Sequence, residues 1–176
     1  MQHMKISIYV AVSANGFISN SRNEPDWLSP EFDQGFVSIC QKYKAVIMGK
    51  TTYNKLAPDY LPLTSEGTTV VLTTDKQAKS DNPTVVFAQN NAAEIAQMLT
   101  DKGHTEAVII GGAMTISEFV NAGLVSDIYF VIEPVLFGTG LSLFKKVDLD
   151  FKLKLLEVTK LNDSTVQLHY EIQKQS

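Results

Sequence analysis

Two stretches of this sequence place glycine where a strand gives way to a helix: Met48-Gly49-Lys50-Thr51-Thr52 and Ile110-Gly111-Gly112-Ala113-Met114. In open α/β sheets ligands bind at such strand ends, because helix amides are free there and a missing Cβ lets a pyrophosphate come close. Two such turns point to a dinucleotide; tight turns demanded by packing alone are the alternative. Gly49-Lys50-Thr51 also raises the thought of a bound triphosphate. A Walker A loop needs a further glycine five positions earlier, where this chain has Lys44 with strand residues in between, so the pattern is not a P-loop. No G-x-G-x-x-G is present either.

A third stretch, Leu72-Thr73-Thr74-Asp75-Lys76, offers two hydroxyls and an ammonium after another strand. Together with Lys50 these groups suit the 2′-phosphate of NADPH. Asp75 pulls the other way, since an acid near a ribose favours NADH, and a solvated turn fits the same residues. The candidate acid is Asp33. It follows Phe32 on an amphipathic helix and shares a stripe with Val37 and Cys40 at the edge of the apolar face. Partial desolvation there raises a carboxyl pKa and suits it to supply a proton. The competing reading is a solvent-facing aspartate that complements the helix dipole. Glu31, on a different helix face, is expected to point to water.

The elements that must hold these groups are legible. Residues 4–13 are β-branched and aromatic and end at Asn15-Gly16, a strand and a turn. Ser29 as N-cap and Pro30 at the first helical position open the Asp33 helix, which carries Phe32, Phe36, Ile39, Cys40 and Tyr43 on one face. Ala45-Val46-Ile47-Met48 reads as a strand buried on both faces, followed by a short helix ending at Pro58. Strands are expected over 68–74 and 84–88, then a helix with an Asn91/Glu94 capping box that Gly103 closes. Two more buried strands, "EAVIIGG" and "SDIYFVIEP", flank a helix running from about Ala113 to Gly123. A hairpin, "FKLKLLEVTK" and "STVQLHYEIQ", turns at Asn162-Asp163. The fold class is α/β: one domain over residues 1–176, on a mixed sheet flanked by helices, with a C-terminal antiparallel hairpin.

Composition narrows the function. A chain of 176 residues at 44% hydrophobic and 19% charged supports a sizeable core. Its net charge of −4 and the lack of any lysine-arginine cluster argue against nucleic acid or an anionic membrane. The single cysteine, Cys40, forms no internal disulfide, and a start without signal-peptide character leaves the reducing cytoplasm as the expected location. No metal is expected: His3 is terminal, His104 follows a helix-ending glycine, and His169 is expected to alternate outward with Gln167 and Glu171. No G-x-S-x-G elbow appears. The strand "DIYFVIEP" and the hairpin are apolar enough to pair with a second copy of the chain.

The stretches "ISIYVAVSANGFIS", "AVIMGKTTYNKL", "VIIGGAMTISEF" and "IEPVLFGTGLSLF", in this order and spacing, resemble the dihydrofolate reductase-like fold and in particular its RibD C-terminal domain branch. The resemblance spans essentially the whole chain. It implies an NADPH-dependent reductase of a small heterocycle, such as the ribosylaminopyrimidine intermediate of riboflavin synthesis or a dihydropterin. It also implies roles: Ala11 and Ile18 bordering the nicotinamide, Gly49 to Thr52 and Gly111 to Met114 holding the pyrophosphate, and Leu72, Thr73 and Thr74 flanking the adenosine. Asp33 falls where dihydrofolate reductases place their single active-site acid. Two departures from the riboflavin reductases stand out: Asn15 replaces an aspartate before the first-turn glycine, and Leu56-Ala57 replaces an acidic pair. With no deaminase domain attached, the expectation is a stand-alone reductase. A dinucleotide-binding protein without turnover is the rival from another class.

Overall fold

The computed structural model describes residues 4–57, 59–89, 91–148 and 150–173. The elements run β1 (Lys5–Ser13), β2 (Phe17–Asn20), α1 (Pro30–Tyr43), β3 (Ala45–Gly49) and α2 (Lys50–Leu56) through the first third. Next come β4 (Thr68–Leu72), β5 (Val85–Ala88), α3 (Ala92–Asp101), β6 (Glu106–Ile109) and α4 (Ala113–Asn121). The chain closes with β7 (Val125–Glu133), β8 (Gly140–Ser142), β9 (Lys152–Lys160) and β10 (Val166–Gln173). Pro58, expected to end the second helix, and His3 lie outside the described residues.

Eight strands form one mixed sheet in the order β5-β4-β3-β6-β1-β7-β10-β9. Pairing is parallel from β5 to β7, and the β9–β10 hairpin adds antiparallel strands at the far edge. The alternation of strand side chains decides which helix packs where. Ile6, Ile8, Val10, Ile47 and Ile109 face a core closed by Ile95 and Leu99 of α3 and Ile116 and Phe119 of α4. Tyr9, Val46, Met48, Val108 and Val131 face the opposite core, closed by Phe36, Ile39, Cys40 and Tyr43 of α1, against which Tyr53 and Leu56 of α2 pack. Burial pushes the Cys40 thiol up to about 12, so it serves as packing rather than as a nucleophile.

Local chemistry sets the helix ends. Ser29 Oγ accepts from the amide of Phe32, and Asn91 Oδ1 accepts from that of Glu94 at 3.0 Å. Gly103 and Gly123 adopt positive φ just past α3 and α4. One feature absent from the sequence reading is a second, two-stranded sheet of β2 and β8, whose partners lie some 120 residues apart in the chain. Asn15 fastens the same region: its Nδ2 donates to Phe137 O at 2.7 Å, while its Oδ1 accepts from Phe137 N and Ser13 Oγ. An aspartate could not make the first of these bonds.

His169 departs from expectation. It does not face water but stacks on Tyr129 at 3.8 Å and bonds to the buried Asp127 at 2.7 Å. It sits directly across from Tyr129 in the β7–β10 ladder, beside a register shift that turns the strand. At the outer edge, β9 leaves Leu153, Leu155, Leu156 and Val158 exposed.

Candidate functional site

Strands β3 and β6 are neighbours, yet the helix after β3 packs on the α1 face and the helix after β6 on the other. This divergence opens a crevice beyond their carboxyl ends, where open α/β sheets bind ligands. Two backbone bonds lock the turns together: Gly49 N to Gly111 O at 2.9 Å and Ile110 N to Ile47 O at 3.0 Å. The glycines are required by the fit. A Cβ on Gly49 would stand 2.9 Å from Thr115 Oγ1 of α4. One on Gly111 would stand 3.2 Å from Thr52 Oγ1 of α2, at a φ of +133 that suits glycine alone. The Gly111-Gly112 peptide is cis. Gly112 is the N-cap of α4 and offers no side-chain bond, so the first amides of the helix are not held by a capping side chain.

The crevice widens into a cleft of about 1520 Å³. Fifteen residues singled out from the sequence line it: Ala11, Ile18, Asp33, Gly49, Lys50, Thr51, Thr52, Leu72, Thr73, Thr74, Ile110, Gly111, Gly112, Ala113 and Met114. Lys76 does not. Lys50 is turned by its neighbours, with Nζ 4.3 Å from the Phe87 ring centroid and 5.0 Å from that of Tyr53, a cation–π seat at the β4–β5 end. Thr73 Oγ1 accepts from Asp75 N, and Asp75 in turn holds Gln77 N, so Asp75 is spent on its own turn.

The other end of the cleft is built by α1. Tyr9 and Phe32 stack at 5.4 Å, Phe32 meets Phe36 at 6.2 Å, and Phe36 meets Tyr60 edge-on at 6.3 Å. Asp33 sits half-buried beside this aromatic row. Burial raises its pKa, and the charge of Glu133 raises it further. Burial likewise pushes up the Tyr9 hydroxyl. Glu31 turns away from the cleft but not to free water: Asn162 Nδ2 donates to its Oε2 at 2.9 Å.

Glu133 was missed in reading the sequence. It is 1% exposed at the end of β7, and its Oε1 accepts from both Ser29 N at 3.0 Å and Ser29 Oγ at 2.8 Å. Thr165 Oγ1 donates to its other oxygen at 3.2 Å. It therefore clamps the N-cap of the helix that carries Asp33, whose own amide donates to Ser29 O. The signal was available, since an acid inside a strand as apolar as "DIYFVIEP" needs partners. A second missed feature is the β2–α1 connection at the cleft wall. Lys55 Nζ of α2 donates to Asn23 O at 2.8 Å and Asn23 Oδ1 at 2.7 Å, tying to α2 the β2–α1 connection that brings Trp27 and Leu28 into the cleft lining.

Among the described residues no group of histidine, cysteine, aspartate and glutamate is arranged to hold a metal ion, and no helix is long and apolar enough to cross a membrane.

Comparison with known proteins agrees with this architecture. The family model described as the RibD C-terminal domain matches residues 4–167. The uncharacterized protein YwjB of Bacillus subtilis is 29% identical over 171 residues, covering 94% of this chain and 97% of that protein. A diaminohydroxyphosphoribosylaminopyrimidine deaminase/5-amino-6-(5-phosphoribosylamino)uracil reductase from Thermotoga maritima superposes with a TM-score of 0.75 at 19% identity, over 97% of this chain and 57% of its own. Dihydrofolate reductase from Enterococcus faecalis, complexed with NADP(H), superposes with a TM-score of 0.67 at 21% identity, over 99% of each chain. At these identities the two structures share the fold.

Proposed function

This chain belongs to the RibD C-terminal domain family, and from that premise we propose that it is a cytoplasmic NADPH-dependent reductase of a small pyrimidine- or pteridine-like heterocycle. The reductase unit is taken to span the chain. The observation that carries the reading is one cleft with two glycine turns interlocked at one end and a half-buried carboxyl among aromatic rings at the other.

The residues fit the cofactor. Gly111 leaves a cradle that a Cβ would close against Thr52, and the first amides of α4, not held by a capping side chain, are suited to a pyrophosphate. Ala113 and Met114 continue that wall, Leu72 to Thr74 border the adenosine, and Ala11 and Ile18 border the nicotinamide. When bound, NADPH supplies a hydride for the carbon of a C=N or C=O bond. The matching proton goes to the nitrogen or oxygen of that bond. Asp33 is the group that delivers it, with burial and the nearby Glu133 charge holding its carboxyl protonated to higher pH than an exposed aspartate. Water then reprotonates it. Tyr9, Phe32 and Trp27 hold the ring flat and exclude water from the reacting face.

The test is NADPH oxidation across a panel of pterins, pyrimidines and quinones. Turnover of at least one member supports the assignment. Cofactor binding without turnover of any would favour a nucleotide-binding protein that does no chemistry. The exposed leucines of β9 are the surface on which a second copy is proposed to pair, which sedimentation velocity reads directly.

A further inference from the structure

Resting on the reductase reading, we propose that the ring reduced here is uncharged and carries no phosphate or carboxylate tail. The α1 end of the cleft is made for a flat, neutral body. Phe32 and Tyr60 line this end with part of their rings exposed, backed by the buried Tyr9 and Phe36, and Trp27, met edge-on by Phe137 at 5.2 Å, adds another ring from the β2–α1 connection.

The charges at that end tell against an anionic tail. Proteins recognise phosphate and carboxylate with forked guanidinium pairs or free ammonium groups. The sequence contains a single arginine, Arg22. It does not line the cleft, and its Nε and Nη2 are held by Glu24 at 2.7 Å and Asp26 at 2.9 Å. Lys55 is the one cation of this end among the described residues, and two of its three donors are spent on Asn23. The remaining lysines of the cleft stand elsewhere. Lys50 lies over Phe87 and Tyr53, while Lys145 and Lys146 are fastened by backbone bonds to Ser117 and Asn121 of α4. Glu24 is matched by Arg22, which leaves this end with the Asp33 carboxyl and with a Lys55 ammonium that keeps one donor. A phosphate carried in there would give up its hydration for one remaining ammonium donor, without the fork of donors that offsets that loss.

The sequence contains one tryptophan, and it lines this end, so quenching of Trp27 reports occupancy directly. The full chain, held at saturating NADP⁺ to prevent turnover, is titrated with matched pairs: 6-methylpterin against 6-carboxypterin, and riboflavin against riboflavin 5′-phosphate. The neutral member is expected to bind at least about ten-fold more tightly, a difference of about 1.4 kcal/mol. In Tyr60→Lys, which adds a free cation at an exposed position of the aromatic row, the charged member is expected to recover most of that gap. Equal or tighter binding of the charged members, no neutral ring bound while NADP⁺ binds, or an unchanged ratio in Tyr60→Lys each overturns the inference. Failure to bind NADP⁺ at all removes the reductase reading itself, and the two failures are thereby told apart.

Discussion

The two ends of the cleft are built from different material. Between β3 and β6 the walls are backbone: two glycine turns bonded to each other, with Thr52 and Thr115 reaching across to the opposite turn. Under α1 the walls are side chains, an aromatic row and one carboxyl, set in place by the buried Glu133 that holds the helix cap. A backbone-built end recognises what all dinucleotides share and tolerates almost no substitution. A side-chain-built end can change its ligand one residue at a time. Within one family, then, the glycine-turn end is expected to stay fixed while the α1 end, which Leu56 also lines, diverges.

This division breaks first at the glycines. Gly112→Val puts a β-branched side chain where the pyrophosphate is to pass, and we expect loss of measurable NADPH binding in a chain that remains folded by circular dichroism. Unchanged affinity would assign the double glycine to packing alone. At the other end, Asp33→Asn should lower kcat by about 100- to 10,000-fold while leaving NADPH affinity nearly intact. Full activity of that variant would mean that the proton comes from elsewhere.

Smaller effects sharpen the comparison. NADPH is expected to bind more tightly than NADH by about 1 to 3 kcal/mol, from charge-assisted or hydroxyl contacts to the 2′-phosphate by Lys50 and Thr73; equal constants in parallel titrations would remove both residues from that role. Glu133→Gln keeps the shape and an acceptor for Ser29 but removes the charge. Because that charge raises the Asp33 pKa, its loss lowers it, Asp33 ionises earlier on the way up, and the alkaline fall in turnover should move to lower pH. A pH profile that does not move would leave Glu133 with the helix cap alone. Asp127, the second buried acid of β7, offers a contrast. Its partners are Ser7 at 3.0 Å, His169 at 2.7 Å and Lys5 at 3.5 Å. Asp127→Ala should therefore destabilise the fold by about 2 kcal/mol in denaturant unfolding without altering the pH profile.

What could be read from the sequence was written in local chemistry. Ser29-Pro30 and Asn91 with Glu94 mark helix starts because the caps bond within three residues, and the glycine turns announce strand ends because a Cβ at Gly49 or Gly111 would crowd a threonine of the opposite turn. What escaped depends on distant partners. β2 and β8 are strands of four and three residues that exist because each pairs with the other, and so short a segment carries no alternation of its own. His169 was read by strand alternation, which cannot register that Tyr129 and Asp127 of a neighbouring strand would claim it. The place of Lys50 after glycine marked it as a residue of the cleft, but not the seat of its ammonium over Phe87, a ring supplied by a strand more than thirty residues later.

The measurement closest to the centre of this account is a titration of the native chain with NADPH, followed by quenching of Trp27 and energy transfer to the reduced nicotinamide. We expect saturable binding of one NADPH per chain, retained in Asp33→Asn and lost in Gly112→Val. Absence of saturable binding by the native chain, or equal binding by the glycine variant, would contradict a cofactor site built on the two glycine turns.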